Sequence, residues 1–411
     1  MWLVARMRFA AVMLVLIGAS ATAETLTIDL PTAVSLARQR APEAVAALGR
    51  IGEAGALRSG ASVPFTQRPE VQIGAGPRFG TERTLNLQTQ LSQQLELGRR
   101  SARIAVADAE LAHARALGEA ELRTLSLEVS LIYCEARHAD LVVDLATRTQ
   151  EVATRAAEVA ERRRKAGELT DLDVHLATIA LGRARSAVAA AQSERAAAIG
   201  KLGALIGANP DDAIVLAGDL VPPAGTLDRA LDRTLDRVGV TTRADVRALD
   251  ADAAVAAAEG SLARANGRPD LGIWFGYQLD EGDAIALAGI SFTLPLWNPT
   301  RGDRAVARAK QKRIESERAA TVTAASRQVV DAREVHGKAR EAVEVFERDI
   351  LRRLADSETL LARSLDTGQV AISEYLVARQ QILEGRREYL DRQLALAKAA
   401  ATMHFVSGGQ P

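Results

Sequence analysis

Cysteine and aromatic residues are scarce in this sequence of 411 residues, and neither sign of charge is in excess. A single cysteine, Cys134, excludes an intrachain disulfide. Aromatic residues make up 3% of the chain, a level typical of long alanine-packed helices, which need few rings to fill their contacts. The 52 basic residues equal the 52 acidic residues. This balance argues against a nucleic-acid-binding protein, because such proteins attract phosphate with a net positive field.

The sequence also lacks the motifs of common enzyme classes. It contains no G-x-x-x-x-G-K-[ST] phosphate loop and no H-E-x-x-H zinc motif, and its scattered serines and histidines do not indicate a catalytic triad. The methionines form no cluster and the histidines have no metal-ligand spacing. The histidines stand at His113, His138, His175, His336 and His404. We therefore predict no enzyme activity, no cofactor and no metal site.

An apolar run near the N-terminus, residues 9–17, is too short to span a bilayer. Two arginines precede it, and three small residues follow it at positions 21–23. This order of charged, apolar and small residues predicts a secretory signal peptide over residues 1–23, and a retained membrane anchor is the alternative. No cysteine follows position 23 directly, so the sequence does not indicate a lipid anchor there.

Residues 169–205 carry the longest regular pattern, a heptad repeat with Arg195 as its one charged member. The other members of this seam are Val174, Ala177, Leu181, Ala184, Val188, Ala191, Ala198, Leu202 and Leu205. A second seam lies in residues 125–160, and the two seams meet at a turn near Gly167. The pattern predicts a long antiparallel helical hairpin. Its many alanines predict that the two backbones lie close together.

Four shorter segments show a period of two. In residues 85–97 leucines occupy odd positions and polar side chains even ones, and residues 271–279 alternate in the same way. This pattern predicts strands with one apolar and one polar face, as in a transmembrane barrel, and a small soluble sheet is the alternative. The predicted lipid-facing residues are Leu85, Leu87, Leu91, Ile273, Phe275, Tyr277 and Phe292.

Aromatic residues collect around these strands. Seven of the twelve that follow position 23 lie in or beside them, which suits a belt at a membrane interface. They are Phe65, Phe79, Trp274, Phe275, Tyr277, Phe292 and Trp297. Four strands cannot close a barrel, and hydrocarbon does not tolerate an open sheet edge. We therefore expect the chain to oligomerise if these strands enter a membrane.

The order of elements occurs twice along the chain. An Arg-Pro pair at 268–269 stands 200 positions after the Arg-Pro pair at 68–69, and each half reads as helix, two strands, long helix and short helix. The predicted divisions are the signal peptide (1–23), the first repeat (24–208), an irregular equatorial segment (209–242), the second repeat (243–407) and a flexible tail (408–411).

An acidic residue stands six positions after a glycine at each predicted hairpin tip. The pairs are Gly167 with Asp173 and Gly368 with Glu374. One interpretation is a solvated carboxylate that interacts with the helix dipole in the first turn. The other is a functional acid, and recurrence of the spacing in both repeats makes the two interpretations comparable.

Together these features resemble the TolC outer-membrane efflux family. The resemblance rests on the predicted signal peptide, the duplicated element order, the G-x-x-x-x-x-(D/E) motifs at the tips, and the junctions L-E-L-G-R-R at 95–100 and L-P-L-W-N at 294–298. It covers essentially the whole chain after residue 23. It implies a mainly α protein with membrane β structure. Long antiparallel coiled-coil helices would form a trimeric α-barrel, and four strands per protomer would contribute to a shared 12-stranded outer-membrane β-barrel.

The resemblance also implies a location and partners. The protein would form a homotrimer in the outer membrane of a Gram-negative bacterium and extend into the periplasm, as the passive exit duct of a tripartite efflux pump. Its implied partners are a periplasmic adaptor (membrane fusion) protein, an inner-membrane transporter of the resistance-nodulation-division type and outer-membrane lipid, with no nucleic acid.

The family pattern assigns roles to residues at the hairpin tips. Asp173 and Glu374 match acids of the periplasmic gate. The residues that match the adaptor-docking region are Gly167, Leu169, Thr170, Gly368, Val370 and Ser373. The sequence departs from the family at Val377, where a second gate acid can stand, and at Leu365, where a tyrosine is common. The resemblance therefore does not imply a gate of two acid rings.

The junctions at 95–100 and 290–298 look most like the cobalt/zinc/cadmium cation-efflux branch, so divalent metal cations are the expected substrate. A duct for drugs or for type I protein secretion is the first alternative. A periplasmic coiled-coil adaptor or scaffold is the second, although such a protein would lack the duplicated amphipathic strands.

Overall fold

The computed structural model describes residues 25–64, 67–79, 83–96, 98–221, 240–280, 283–293, 300–367 and 369–407. The first part of the chain forms β1 (Thr25–Ile28), α1 (Leu30–Arg40), α2 (Pro42–Ala61), β2 (Glu70–Phe79), β3 (Arg83–Leu95), α3 (Arg99–Lys165), α4 (Asp171–Ile206) and β4 (Ala213–Leu216). The second part forms a 3-10 turn (Val240–Thr242), α5 (Ala244–Ala265), β5 (Asp270–Asp280), β6 (Asp283–Thr293), α6 (Arg301–Phe346), a π-helical turn (Glu347–Leu351), α7 (Arg352–Thr367) and α8 (Ile372–Val406).

The heptad seam predicted for α3 and α4 is confirmed. Each of its members on α4 is buried or half-buried, and Ala177 and Leu202 are almost fully enclosed. Arg195, the charged member of the seam, forms an ion pair with Asp140 of α3. Without this ion pair the guanidinium charge of Arg195 would lie uncompensated against the apolar side chains of the seam.

Two short helices lie end to end beside each long helix. Arg50 and Arg58 of α2 pair with Glu121 and Asp108, so α2 follows the first half of α3. The α4 helix follows the second half, and its C-terminal Gly207 lies against Arg40 at the end of α1. In the second repeat, α5 and α8 lie along the helix formed by α6 and α7 in the same way. This arrangement agrees with the duplication seen in the sequence.

A small parallel pair of strands, β1 and β4, was not predicted from the sequence. Thr25 pairs with Ala213, and the pairing runs to Ile28 and Leu216. These strands cover the largest apolar cluster of the described chain, where Ile28, Leu202 and Val129 are fully buried. The segment predicted to be irregular, 209–242, therefore begins with a strand, and its residues 222–239 lie outside the described ranges.

The four longer strands form one antiparallel sheet in the order β2-β3-β5-β6. The central β3–β5 pairing joins the two repeats and places Leu91 opposite Phe275. The strands β2 and β6 are the two edges of this sheet, and each belongs to a different repeat. All four strands connect to helices at one end of the sheet, where β2 and β5 begin and β3 and β6 end.

Some predicted features lie outside the described residues. They are the signal peptide (1–23), the flexible tail (408–411), Gly368 and the junction at 294–298. None of the helices in the described part of the chain combines the length and the apolar character needed to cross a lipid bilayer.

Candidate functional site

The first hairpin turns at Gly167, as the sequence predicts. Gly167 has a φ of 79°, and the N–H groups of Gly167 and Glu168 donate to the carbonyl oxygens of Arg164 and Arg163, both at 2.9 Å. This is a Schellman motif, which ends a helix on a residue in the left-handed region. Glycine suits this position because it carries no Cβ.

Thr170 and Asp173 form a capping box at the start of α4. The Asp173 carboxylate accepts hydrogen bonds from the Thr170 hydroxyl (2.7 Å) and N–H (3.1 Å), and Thr170 Oγ1 accepts one from the Asp173 N–H (3.4 Å). The hydrogen bonds from the Thr170 side chain and backbone lower the pKa of Asp173 below its usual value. Asp173 is therefore charged at neutral pH, and its charge is engaged in the helix cap.

Glu374 occupies the corresponding third position of α8 without such a cap. The residue before α8, Ala371, makes no side-chain cap hydrogen bond. Glu374 is exposed, and its carboxylate has no hydrogen bond or ion pair with any side chain that the structure describes. The two acids at equivalent sequence positions therefore differ in their surroundings, since Asp173 caps a helix and Glu374 is an open charge.

The two hairpin tips pack against each other through a shared apolar cluster, here called the tip cluster. Its buried members are Ala156, Val159, Ala160 and Ala177 of the first hairpin and Leu365, Ile372 and Tyr375 of the second. Leu169 and Val370 are half-buried against this cluster. Among the predicted docking residues, Gly167, Thr170 and Ser373 are exposed, and Gly368 lies outside the described residues. Of the six residues predicted to meet the adaptor, three are therefore exposed and two take part in the packing between the hairpins.

A cleft of about 540 Å³ adjoins the tip cluster between α3, α7 and α8. In its wall, Glu358 of α7 accepts hydrogen bonds from Arg379 Nη1 (3.1 Å) and Arg386 Nη2 (2.8 Å) of α8. The Tyr389 hydroxyl donates to Glu347 at 2.6 Å, and burial followed by this hydrogen bond raises the pKa of Tyr389 to about 12. The sequence did not predict this network, because charged residues at these positions are typical of a solvated helix face. The contacts between them form only when α7 and α8 pack together.

The four-stranded sheet exposes a continuous apolar face. Every predicted lipid-facing residue whose side chain is described lies exposed on this face, namely Leu87, Leu91, Ile273, Phe275, Tyr277 and Phe292. The side chain of Leu85 lies outside the described residues, although its backbone pairs with Pro77. Val71, Ile73 and Ile290 enlarge the same face, with exposures of 58%, 72% and 62%. A soluble protein rarely leaves so large an apolar patch in water.

Trp274 lies on the other face of the sheet. Its position in β5 is even-numbered, so it lies on the face opposite Phe275. There it covers Gly289 and Gly276, where a Cβ would approach the indole to 2.7 Å and 3.4 Å. The two glycines explain why this face accepts a large ring among polar neighbours.

Metal-binding side chains do not gather in this region. In the described ranges, no three His, Cys, Asp or Glu side chains lie close enough together to hold a metal ion. Cys134 is buried in α3, and burial raises the pKa of its thiol to about 11. A thiol in these surroundings stays protonated near neutral pH and is a poor nucleophile or ligand.

An exposed apolar sheet carried on paired coiled-coil hairpins is an architecture typical of outer-membrane channel subunits. Residues 35–208 match the family model of outer membrane efflux proteins. This part of the chain is therefore similar to outer membrane efflux proteins, in agreement with the resemblance to the TolC family.

The fold extends this likeness to nearly the whole chain. A CusC structure concerned with folding and transmembrane channel formation has a TM-score of 0.73 and 18% identity, with 96% of each chain covered. The outer membrane protein VceC from Vibrio cholerae has a TM-score of 0.70 and 19% identity, with 92% of this chain and 96% of VceC covered. The open state of the MtrE outer membrane channel from Neisseria gonorrhoeae has a TM-score of 0.68 and 18% identity, with 92% and 89% covered. No curated protein sequence matches the chain closely.

Proposed function

We propose that the protein is an outer-membrane exit duct that passively conducts substrate from a periplasmic adaptor and an inner-membrane transporter to the exterior. The observation that carries this proposal is the exposed apolar face of the sheet, which is attached directly to two long helical hairpins. Lipid would cover that face, and the hairpins would reach into the periplasm. The match to the outer membrane efflux family supports the same function.

The proposed assembly is a homotrimer. A protomer contributes four strands, and the edges β2 and β6 have no further strand beside them among the described residues. An open edge is not stable in hydrocarbon. Three protomers would pair these edges and close a barrel of twelve strands, while the hairpins would close an α-barrel below it.

The proposed contact with the adaptor is the exposed part of the tips. Gly167, Thr170 and Ser373 are accessible there, whereas Leu169 and Val370 stabilise the packing between the hairpins. Glu374 is the stronger candidate for a gate charge, because its carboxylate is exposed and Asp173 is held by Thr170. The proposed transporter is of the resistance-nodulation-division type, and the proposed substrate is a divalent metal cation.

Membrane fractionation tests the duct. The mature protein should separate with the outer membrane on a density gradient and should run as a trimer after extraction in mild detergent. Recovery as a soluble monomer would contradict the duct and would favour the periplasmic adaptor or scaffold.

A deletion strain tests the substrate. Loss of the gene should lower tolerance to cobalt, zinc and cadmium, and the wild-type gene should restore it. Sensitivity to drugs or detergents alone, with normal metal tolerance, would agree with an exit duct but would contradict a metal substrate. Retention of a secreted protein in the deletion strain would instead favour type I secretion.

A further inference from the structure

The sheet meets the helices in a narrow band, here called the junction collar, formed by the described residues 61–64, 67–70, 96, 98–104, 264–270 and 300–304. Side-chain contacts hold these segments together. Arg103 donates to the carbonyl oxygens of Ala61 (3.2 Å) and Val63 (3.1 Å), and Arg99 forms an ion pair with Asp270. The fourth segment adjoins the third, since a Cβ on Gly267 would lie 3.4 Å from the hydroxyl of Thr300.

The junction collar is strongly basic in a chain that is neutral as a whole. Its eight arginines and four carboxylates give it a net charge of +4, whereas the whole chain has a net charge of 0. The arginines are Arg68, Arg99, Arg100, Arg103, Arg264, Arg268, Arg301 and Arg304, and the acids are Glu70, Glu96, Asp270 and Asp303. A local excess of this size creates a positive field that attracts anions.

The acids of the collar do not neutralise its exposed arginines. Glu96 pairs with Arg103 and Asp270 pairs with Arg99, so two of the four carboxylates are occupied within the collar. Arg68, Arg268 and Arg301 are exposed and take part in no ion pair within the described ranges. Their guanidinium groups therefore remain available to an external anion.

The collar borders the apolar face of the sheet on one side only. Val71 follows the collar directly in β2, and Ile273 follows it by three residues in β5; both are exposed. The sheet is thus apolar along its face and positive at the helix end.

We infer that the junction collar binds the phosphate groups of anionic phospholipids in the leaflet nearest the helices. This inference rests on the proposed function, because it requires the strands to lie in a bilayer. Guanidinium groups match phosphate oxygens in geometry and charge. Basic clusters beside a membrane span attract anionic lipid, and the attraction falls within a Debye length.

Lipid composition around the full-length trimer tests the inference. The protein is reconstituted into nanodiscs from phosphatidylcholine and phosphatidylglycerol, and mass spectrometry measures the ratio of the two lipids that stay with it. The wild type should retain more phosphatidylglycerol than the supplied mixture contains. The triple variant Arg68→Gln, Arg268→Gln, Arg301→Gln should retain the two lipids in the supplied ratio.

Two further variants control for charge and for folding. Arg183→Gln, Arg185→Gln, Arg333→Gln removes three exposed arginines from the helices and should keep the enrichment. The variant Arg68→Lys, Arg268→Lys, Arg301→Lys keeps the charge of the collar and should keep most of the phosphatidylglycerol enrichment. If the wild type inserts normally but shows no phosphatidylglycerol enrichment, the collar inference is overturned. Equal enrichment in the glutamine variant also overturns it, and in both cases the proposed function is unaffected. Failure of the wild type to enter any bilayer contradicts the proposed function instead.

Discussion

The Thr170 hydroxyl lies 2.7 Å from the Asp173 carboxylate, and the Asp173 N–H donates back to the same hydroxyl oxygen at 3.4 Å. This reciprocal pair starts α4 at the hairpin tip. It also separates the roles of two acids that are equivalent in sequence, because Glu374 begins α8 without a comparable partner among the described residues.

Thr170→Ala should loosen the first turn of α4. Loss of a threonine cap costs about 1 kcal/mol, which corresponds to roughly fivefold faster amide hydrogen exchange in that turn. Thr178→Ala is the control, since the Thr178 hydroxyl bonds only the Val174 carbonyl within the helix (2.8 Å) and caps nothing. Equal exchange in wild type and Thr170→Ala would show that the cap does not stabilise the tip.

The same cap predicts a pH dependence. The pKa of Asp173 is lowered from 3.8 in the folded protein, so its stabilising contribution is fully present above the unfolded pKa and is lost as the pH falls through the folded pKa. Protection of the first turn should therefore differ between wild type and Asp173→Asn at neutral pH and converge once the pH has fallen through the folded-state pKa, which lies below 3.8. A difference that persists in strong acid would contradict a charged cap.

Glu374→Gln should reduce the cation selectivity of the reconstituted channel more than Asp173→Asn does. Rings of exposed carboxylates favour cations in pores, and of these two acids Glu374 is the one whose carboxylate is open. Single-channel recording in planar bilayers measures the effect. Glu384→Gln, farther along α8, is the control for general loss of charge. If all three variants behave alike, Glu374 is an ordinary solvated residue in the first turn of its helix.

Phe275→Lys should block membrane insertion, whereas Gln88→Lys should be tolerated. Phe275 lies on the apolar face of the sheet and Gln88 on the polar face, since the strand register alternates between them. A lysine on the lipid side near the bilayer centre costs about 2–4 kcal/mol. The yield of trimer in the outer membrane measures both variants. Equal insertion of the two would contradict a lipid-facing sheet.

Glu358→Gln should weaken the tip end of the second hairpin. Glu358 is bonded by Arg379 and Arg386, and the Arg379 side chain is only 15% exposed. Loss of this charged acceptor should destabilise the protein by about 2 kcal/mol. Glu388→Gln is the matched control, because the Glu388–Arg392 pair on the surface of α8 contributes only about 0.5 kcal/mol. Thermal melting in detergent compares the two variants.

Gly207→Ala and Gly182→Ala should have opposite effects on stability. Gly207 has a φ of 63°, and a Cβ there would lie 2.9 Å from Arg40 Cβ, so alanine should destabilise the protein by about 1–2 kcal/mol. A Cβ on Gly182 would meet nothing within 4 Å, and alanine should stabilise α4 by about 0.5–1 kcal/mol. Melting temperatures that move in the same direction would contradict this account of the α1–α4 contact.

The repetitive part of the fold could be predicted from sequence because burial imposes a period on it. Ala177 and Leu202 repeat along a helix seam, and Leu91 and Phe275 alternate along strands, so each pattern reports its own secondary structure. The strands β1 and β4 have four residues each, too few to show a period, and their pairing joins distant parts of the chain. Sequence periodicity carries no information about such a contact.

The candidate site could be predicted from sequence only where the interacting residues are close together in the chain. Thr170 and Asp173 stand three residues apart, and this spacing could have identified the capping box directly. The bridge from Glu358 to Arg379 and Arg386 depends on how two helices align, so residue spacing could not reveal it. The burial of Leu169 and Val370 depends in the same way on packing between the two hairpins.

The two edge strands of the sheet, β2 and β6, are different strands, and this determines how neighbouring copies can pair when several copies form a ring. Because β2 and β6 run antiparallel across an even number of strands, β6 of one copy can pair with β2 of the next in the same antiparallel sense. Such a joint is heterologous: each copy offers one donor edge and one different acceptor edge. A copy whose β6 edge is blocked can still pair its own β2 with the β6 edge of a neighbour. It then offers no free β6 to the next copy, so the ring cannot close, and a co-expressed variant of this kind should inhibit the wild type dominantly.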